Sequence, residues 1–324
     1  MGRIGAGGRA AGAAPGVRPM RTGSGGPRRE APPARAEGRS LPTWLRAAAL
    51  ALALVLAGAP PASTGAGTDV AADERIVFPA SVQQGAMVLG KVPPGSIVAY
   101  DGRTLRTTGY GTVVFGVGRD ATGPLLVTVD TPAGRRKVVR IAVAARDWPL
   151  QRVDGVPPRT VDPPPAIAER IRREQARVAQ ARLRDDPRTD FTRPFIRPVE
   201  GRVSGRFGRA RVYNGKPGAP HSGMDIAAPA GTPVRAPAPG IVTFADPDLY
   251  LTGGTVLLDH GHGISSNFLH LSRIDVQAGD RVEQGQVIAA VGSTGRSTGP
   301  HLHWGMSWFD VRIDPQLVLE QRGD

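Results

Sequence analysis

The sequence contains no cysteine. That excludes disulfides, a thiol nucleophile, a thiolate zinc site, an iron–sulfur cluster and a lipidated N-terminal cysteine, so any metal must be held by His, Asp or Glu. Lysine is scarce: of 41 basic residues only Lys91, Lys137 and Lys216 are lysine. Aromatic residues make up 5% of the chain, and the arginines lack the interleaved aromatics of a nucleic-acid platform. The apolar run 47–59 has 13 residues, short of the roughly 18–20 that span a bilayer.

Net charge is +13, yet residues 1–46 alone hold nine Arg and two Glu. More than half of the excess therefore precedes the apolar run, where it fits a targeting segment and not a nucleic-acid surface. Ala57-Gly58-Ala59 supplies a small-x-small cleavage pattern followed at once by Pro60; a cut after Ala66 or an uncleaved anchor are the alternatives. The basic leader is long for a signal peptide, which makes Met20 an alternative start. Residues 1–66 are read as an export segment. The remainder is expected in a Gram-negative periplasm or facing a cell wall, with membrane contact only through an uncleaved inner-membrane anchor. The Arg, Ala, Gly and Pro bias matches a GC-rich genome, so a single arginine carries little functional weight.

Behind this segment the chain reads as mainly β. Between residues 70 and 150, short β-rich runs (Ile76–Phe78, Ala86–Leu89, Ile97–Tyr100, Val113–Val117, Leu125–Val129, Val138–Val143) alternate with turn signals such as Pro93-Pro94-Gly95 and Asp101-Gly102. They suggest a small β-sandwich-like domain, without a polar constellation of its own, that spaces or docks the C-terminal domain. Residues 151–190 are a Pro-rich linker and a basic helix expected over 166–184, with Ile167, Ile171 and Val178 on one side. The helix is read as a solvated strut packed on a neighbour. From 191 to 324 strand-like runs dominate, predicting an antiparallel β domain.

All six histidines lie in the last 104 residues. In Gly299-Pro300-His301-Leu302-His303, strand alternation puts both imidazoles on one face and Leu302 on the other. In Pro220-His221-Ser222-Gly223-Met224-Asp225, the carboxylate follows the imidazole closely enough for both to reach one ion. Neutral imidazole and carboxylate suit zinc, although His-x-His alone is a weak signal.

Together these segments resemble the lysostaphin-type zinc metallopeptidases, peptidoglycan endopeptidases that include LytM. The resemblance runs from about Val199 to Leu317. It takes in His221 through Pro229, Gly231-Thr232-Pro233-Val234, Asp259-His260-Gly261, His270-Leu271-Ser272, Gly279-Asp280-Arg281-Val282 and Gly292 through His303. It implies one zinc per chain, held by His221, Asp225 and His303, with His270 and His301 as the catalytic pair. Three protein ligands leave a fourth position for water, the arrangement of a catalytic zinc. There is no His-Glu-x-x-His glutamate, so a histidine must carry the proton. His301 is assigned as base and His270 as stabiliser of the oxyanion.

His260 is expected to organise a turn and His262 to be a surface turn residue. Phe268 stands where the family usually has Tyr, and Gly305 replaces a polar or acidic residue. The implied function is an exported zinc endopeptidase acting on peptidoglycan stem peptides, not on nucleic acid. The alternative is a weakly active or non-enzymatic relative that binds wall and activates another hydrolase. A lipoyl-type carrier role for the 279–286 hairpin is excluded, because no lysine follows Lys216.

Overall fold

Strand periodicity between residues 76 and 145 is realised as two sheets. The computed structural model describes residues 75–321; the export segment assigned to 1–66 lies outside them. Five strands run in the order Ser81–Gln83, Arg136–Ala144, Leu125–Asp130, Ile97–Tyr100, Arg103–Leu105, and Met87–Lys91 pairs antiparallel with Thr112–Gly116. In Leu125–Asp130 the alternation is explicit: Leu125, Val127 and Val129 are buried, and Leu126 is exposed. Val98, Val127, Val129 and Ile141 from one sheet join Val113 and Phe115 from the other in a single core. The run expected at Ile76–Phe78 is reduced to one bridge, Val77 to Lys91; Pro79 follows and cannot donate to a ladder.

This core continues into the C-terminal part of the chain. The Trp308 ring lies 6.0 Å from that of Tyr100, tilted, and 6.3 Å from that of Phe115, edge-on, and all three join one apolar cluster. Gln151–Val153 forms a strand that pairs in parallel with Arg211–Tyr213. A three-residue strand between proline-rich flanks carries too little periodicity to read from sequence.

The helix spans Pro165–Ala181, starting at a proline whose missing N–H costs nothing in the first turn. It ends three residues before the expected 184, the Arg182 N–H bonding to the Ala179 carbonyl and the Leu183 N–H to the Gln180 carbonyl. Val178 and Ala181 pack on Phe244, Leu249 and Leu257. Arg170 and Arg177 reach Asp248 and Asp246, while Glu174 accepts the Tyr250 N–H at 2.8 Å. The basic helix is thus laid along the Gly240–Leu249 strand. Among the described residues no helix is long and apolar enough to cross a membrane.

The C-terminal part is built on an eight-stranded sheet. Its path is Arg281–Val282, Gly240–Leu249, Gly253–Asp259, Ile264–Leu271, His301–Trp308, Met224–Ala227 and Arg202–Gly205, with Val311–Ile313 beside His301–Trp308. The central strands pair antiparallel. Consequently Met224–Ala227 and Ile264–Leu271 flank His301–Trp308, bringing residues some 80 positions apart in sequence onto neighbouring strands.

Candidate metal centre and active site

Register places the first two groups. Asp225 pairs directly with His303 across the Met224–Ala227 and His301–Trp308 strands, and Ala227 pairs with His301. Leu302, between the two histidines, is fully buried, as alternation requires. On its other side Asp225 faces Gly205, where a β-bulge lies between Asp225 and Ile226. His221 comes from the loop ahead of the strand and is fixed by backbone: its N–H donates to Arg209 and its carbonyl accepts from Gly208.

The three side chains converge. His221 Nε2 lies 2.9 Å from Asp225 Oδ1 and 3.0 Å from His303 Nδ1, and His303 Nδ1 lies 2.8 Å from Asp225 Oδ1. All three residues are buried. His221 Nδ1 sits 2.8 Å from the Arg206 carbonyl, which can only accept, so the proton belongs on Nδ1 and Nε2 is a bare lone pair. A lone pair, a carboxylate oxygen and a second imidazole nitrogen therefore meet with at most one N–H among them. A divalent cation satisfies all three at once. The separations fall slightly under the ~3.3 Å edge of a tetrahedron with ~2.0–2.1 Å bonds. The donor set fits a metal of zinc type.

Electrostatics favours the same state. Burial works to raise the Asp225 carboxyl, but the imidazoles of His221 and His303 outweigh it and hold it well below the ordinary carboxylate range. Arg211 Nη2 adds a charge-assisted bond to Asp225 Oδ2 at 2.7 Å. Burial pushes His303 down to about 4, so near neutral pH it is an uncharged donor.

His270 and His301 stand beside this cluster with rings 4.8 Å apart, and His270 is 6.3 Å from the His303 ring. Each has Nδ1 at 2.8 Å from a backbone carbonyl, that of Thr294 for His270 and that of Gly299 for His301. Both carbonyls fix Nδ1–H and leave Nε2 as the free acceptor. His301 Nε2 points inward, 3.9 Å from Asp225 Oδ1. His270, the penultimate residue of its strand, has φ at +64°, a left-handed conformation costing of order 1–3 kcal/mol in a non-glycine residue. The His270 N–H bond to the Thr252 carbonyl holds it there. Burial, with His301 and His303 nearby, pushes His270 down to about 3. His301 keeps partial solvent exposure.

These groups open into a cavity of about 750 Å³ whose wall also includes Arg119, Gln151, Val153 and Val156 from the N-terminal half, and Arg211, Tyr213 and Arg296. The five His and Asp residues named from the sequence all line this cavity; the rest of the wall was not anticipated. Arg119 stands in a region read as lacking functional polar groups, and Arg211 is one arginine among many.

The remaining histidines are structural. His260 is fully buried, with Nδ1 at 2.7 Å from the Pro239 carbonyl and Nε2 at 2.9 Å from Ser266 Oγ, which also accepts from Trp304 Nε1. The expectation of a surface His262 is corrected: it is 3% exposed, its ring 4.8 Å from that of Phe191, because the short turn Asp190–Thr192 folds over it. Phe268 lies wholly in the core and does not line the cavity. Gly305 leaves room for the Asn267 amide, which a side chain there would strike.

Parts of this chain are similar to known proteins. Residues 219–315 match the model of Peptidase family M23. The chain is 47% identical over 98 residues to the DD-carboxypeptidase/endopeptidase Mpg of Neisseria meningitidis serogroup B, covering 30% of this chain and 21% of that one. It is 42% identical over 110 residues to the peptidoglycan DD-endopeptidase ShyA of Vibrio cholerae, covering 33% and 25%. The matched region thus spans about a fifth to a quarter of these curated relatives. A crystal structure of an M23 peptidase from Pseudomonas aeruginosa is similar over 73% of this chain and 94% of its own, at 32% identity and a TM-score of 0.57.

Proposed function

The chain belongs to Peptidase family M23, and from that premise we propose that it is a zinc-dependent endopeptidase that hydrolyses the peptide cross-links of peptidoglycan. The observation that carries this reading is the convergence of His221 Nε2, Asp225 Oδ1 and His303 Nδ1 within 3.0 Å of one another on the cavity wall. The substrate class rests on the relatives named for peptidoglycan and DD-endopeptidase activity. Export by residues 1–66 to the periplasm or wall is part of the same proposal.

Zinc held by His221, Asp225 and His303 would supply Lewis acidity, lowering the pKa of a water towards ~7 and polarising the scissile carbonyl. The protein supplies proton handling. His301, oriented by the Gly299 carbonyl, presents Nε2 to take a proton from the attacking water and return it to the leaving amine. Its partial exposure gives that proton an exchange route. His270 is assigned to the developing oxyanion; burial keeps it uncharged in the resting site, so donating there requires its Nε2 to take up a proton from solvent in the open cavity as negative charge grows beside it. Burial of the His221, Asp225 and His303 cluster lowers the local dielectric and strengthens these interactions.

The test uses the chain without residues 1–66, supplied with zinc and purified peptidoglycan, its products read by mass spectrometry of the released muropeptides. Chelator-sensitive conversion of cross-linked to uncross-linked muropeptides is expected. Zinc binding and wall binding without conversion would replace this reading with the non-enzymatic alternative.

A further inference from the structure

We propose that Arg211 is the positioning residue of the metal centre: it pins one oxygen of Asp225 so that the other alone is presented to the ion. The proposal rests on the metallopeptidase reading above. Arg211 and Asp225 form a nearly buried pair, their side chains 13% and 11% exposed, with Nη2 2.7 Å from Oδ2. The opposite oxygen, Oδ1, is the one that His221 and His303 approach. The two oxygens are thus divided between different tasks. Arg211 spends its other donors on Gln151 Oε1 and the Tyr213 hydroxyl, both at 3.2 Å, so the guanidinium plane is held along three directions. A fork-shaped donor fixed in this way sets the rotation of a carboxylate as a single ammonium cannot.

Gly205 supplies an independent observation. A Cβ at that position would lie 2.2 Å from Asp225 Oδ2, so Oδ2 occupies the space that a side chain would fill on the neighbouring strand. Oδ2 is therefore lodged between a glycine and a guanidinium, and Oδ1 has only the metal side left. Gln151 belongs to the strand within the Pro-rich segment that pairs with Arg211–Tyr213, which ties the site to a segment 74 residues ahead of Asp225 in the chain.

The test compares Arg211→Met, Arg211→Lys and Gln151→Ala in the full chain, using zinc affinity by chelator competition and the visible absorption of the cobalt(II)-substituted protein. For Arg211→Met we expect zinc affinity to fall by about 10- to 100-fold, with altered cobalt bands as the freed carboxylate changes its ligation. Arg211→Lys keeps the charge and the aliphatic stem, guarding against misfolding, and is expected to recover only part of the affinity. Gln151→Ala removes one of the bonds that hold the guanidinium but leaves the Asp225 bond in place, and is expected to lose less zinc affinity than Arg211→Met. Parental affinity and superimposable cobalt bands in either Arg211 variant would overturn the proposal. So would Gln151→Ala losing as much as Arg211→Met, since the effect would then be general loss of strand packing. A parent chain that takes up no metal would instead sink the metallopeptidase reading itself, and this proposal with it.

Discussion

Replacing Gly205 by alanine is the sharpest perturbation of the centre that replaces none of its donors. The glycine pairs with Asp225 across the sheet, and the added carbon would lie 2.2 Å from Oδ2, 2.9 Å from Cγ and 3.1 Å from Cβ of Asp225. Ordinary contact begins near 3.4 Å, so Oδ2 must retreat by about 1.2 Å. Metal–ligand distances tolerate about ±0.2 Å. The carboxylate cannot move that far and keep both Oδ1 in place and its bond to Arg211. The strain of overpacking is about 1–3 kcal/mol, small enough for the sheet to survive. The loss should therefore fall on metal binding, at least about 100-fold in zinc affinity, with circular dichroism close to that of the parent. Chelator competition measures the first and a melting curve the second. Zinc affinity within threefold of the parent in a folded Gly205→Ala protein would refute the reasoning.

Other consequences concern single side chains and pH. His303→Ala and Asp225→Ala should each abolish turnover and stoichiometric zinc; intact activity in either would overturn the ligand assignment. His301→Ala should keep zinc and lose about 10²–10⁴-fold in turnover, whereas retained turnover would move the base role to His270. Burial pushes His260 down to about 4, against about 6.5 in an unfolded chain. The unfolded state then binds the extra proton, so metal-free stability is fully present above pH 6.5 and falls as pH drops towards 4. The loss is about 3 kcal/mol from this residue, with His270 and His303 acting in the same direction. Urea titrations across that range should show the slope, and His260→Gln should flatten it; an unchanged slope would remove His260 as its source.

That His301 and His303 share a face was legible because strand alternation is rigid; that His221 and Asp225 are their partners was implied by the family resemblance alone, and the register then sets Asp225 opposite His303. The β character of both halves was legible for the same reason. Arg211 was not, because its meaning lies in the parallel pairing of Gln151–Val153 with Arg211–Tyr213, a long-range contact between runs too short to show a period. The same bias that fills the chain with arginine hid the one lodged against Asp225. His262 misled because Gly261-His262-Gly263 has the composition of an exposed turn, while its burial comes from Phe191, some 70 residues earlier.

Central to the account is one ion on three named atoms, and anomalous diffraction at the zinc edge, with metal content by mass spectrometry, measures that directly. The account predicts one zinc per chain, in contact with His221 Nε2, Asp225 Oδ1 and His303 Nδ1. Metal-free crystals grown from zinc-saturated protein, or an anomalous peak elsewhere with those three side chains unliganded, would contradict it.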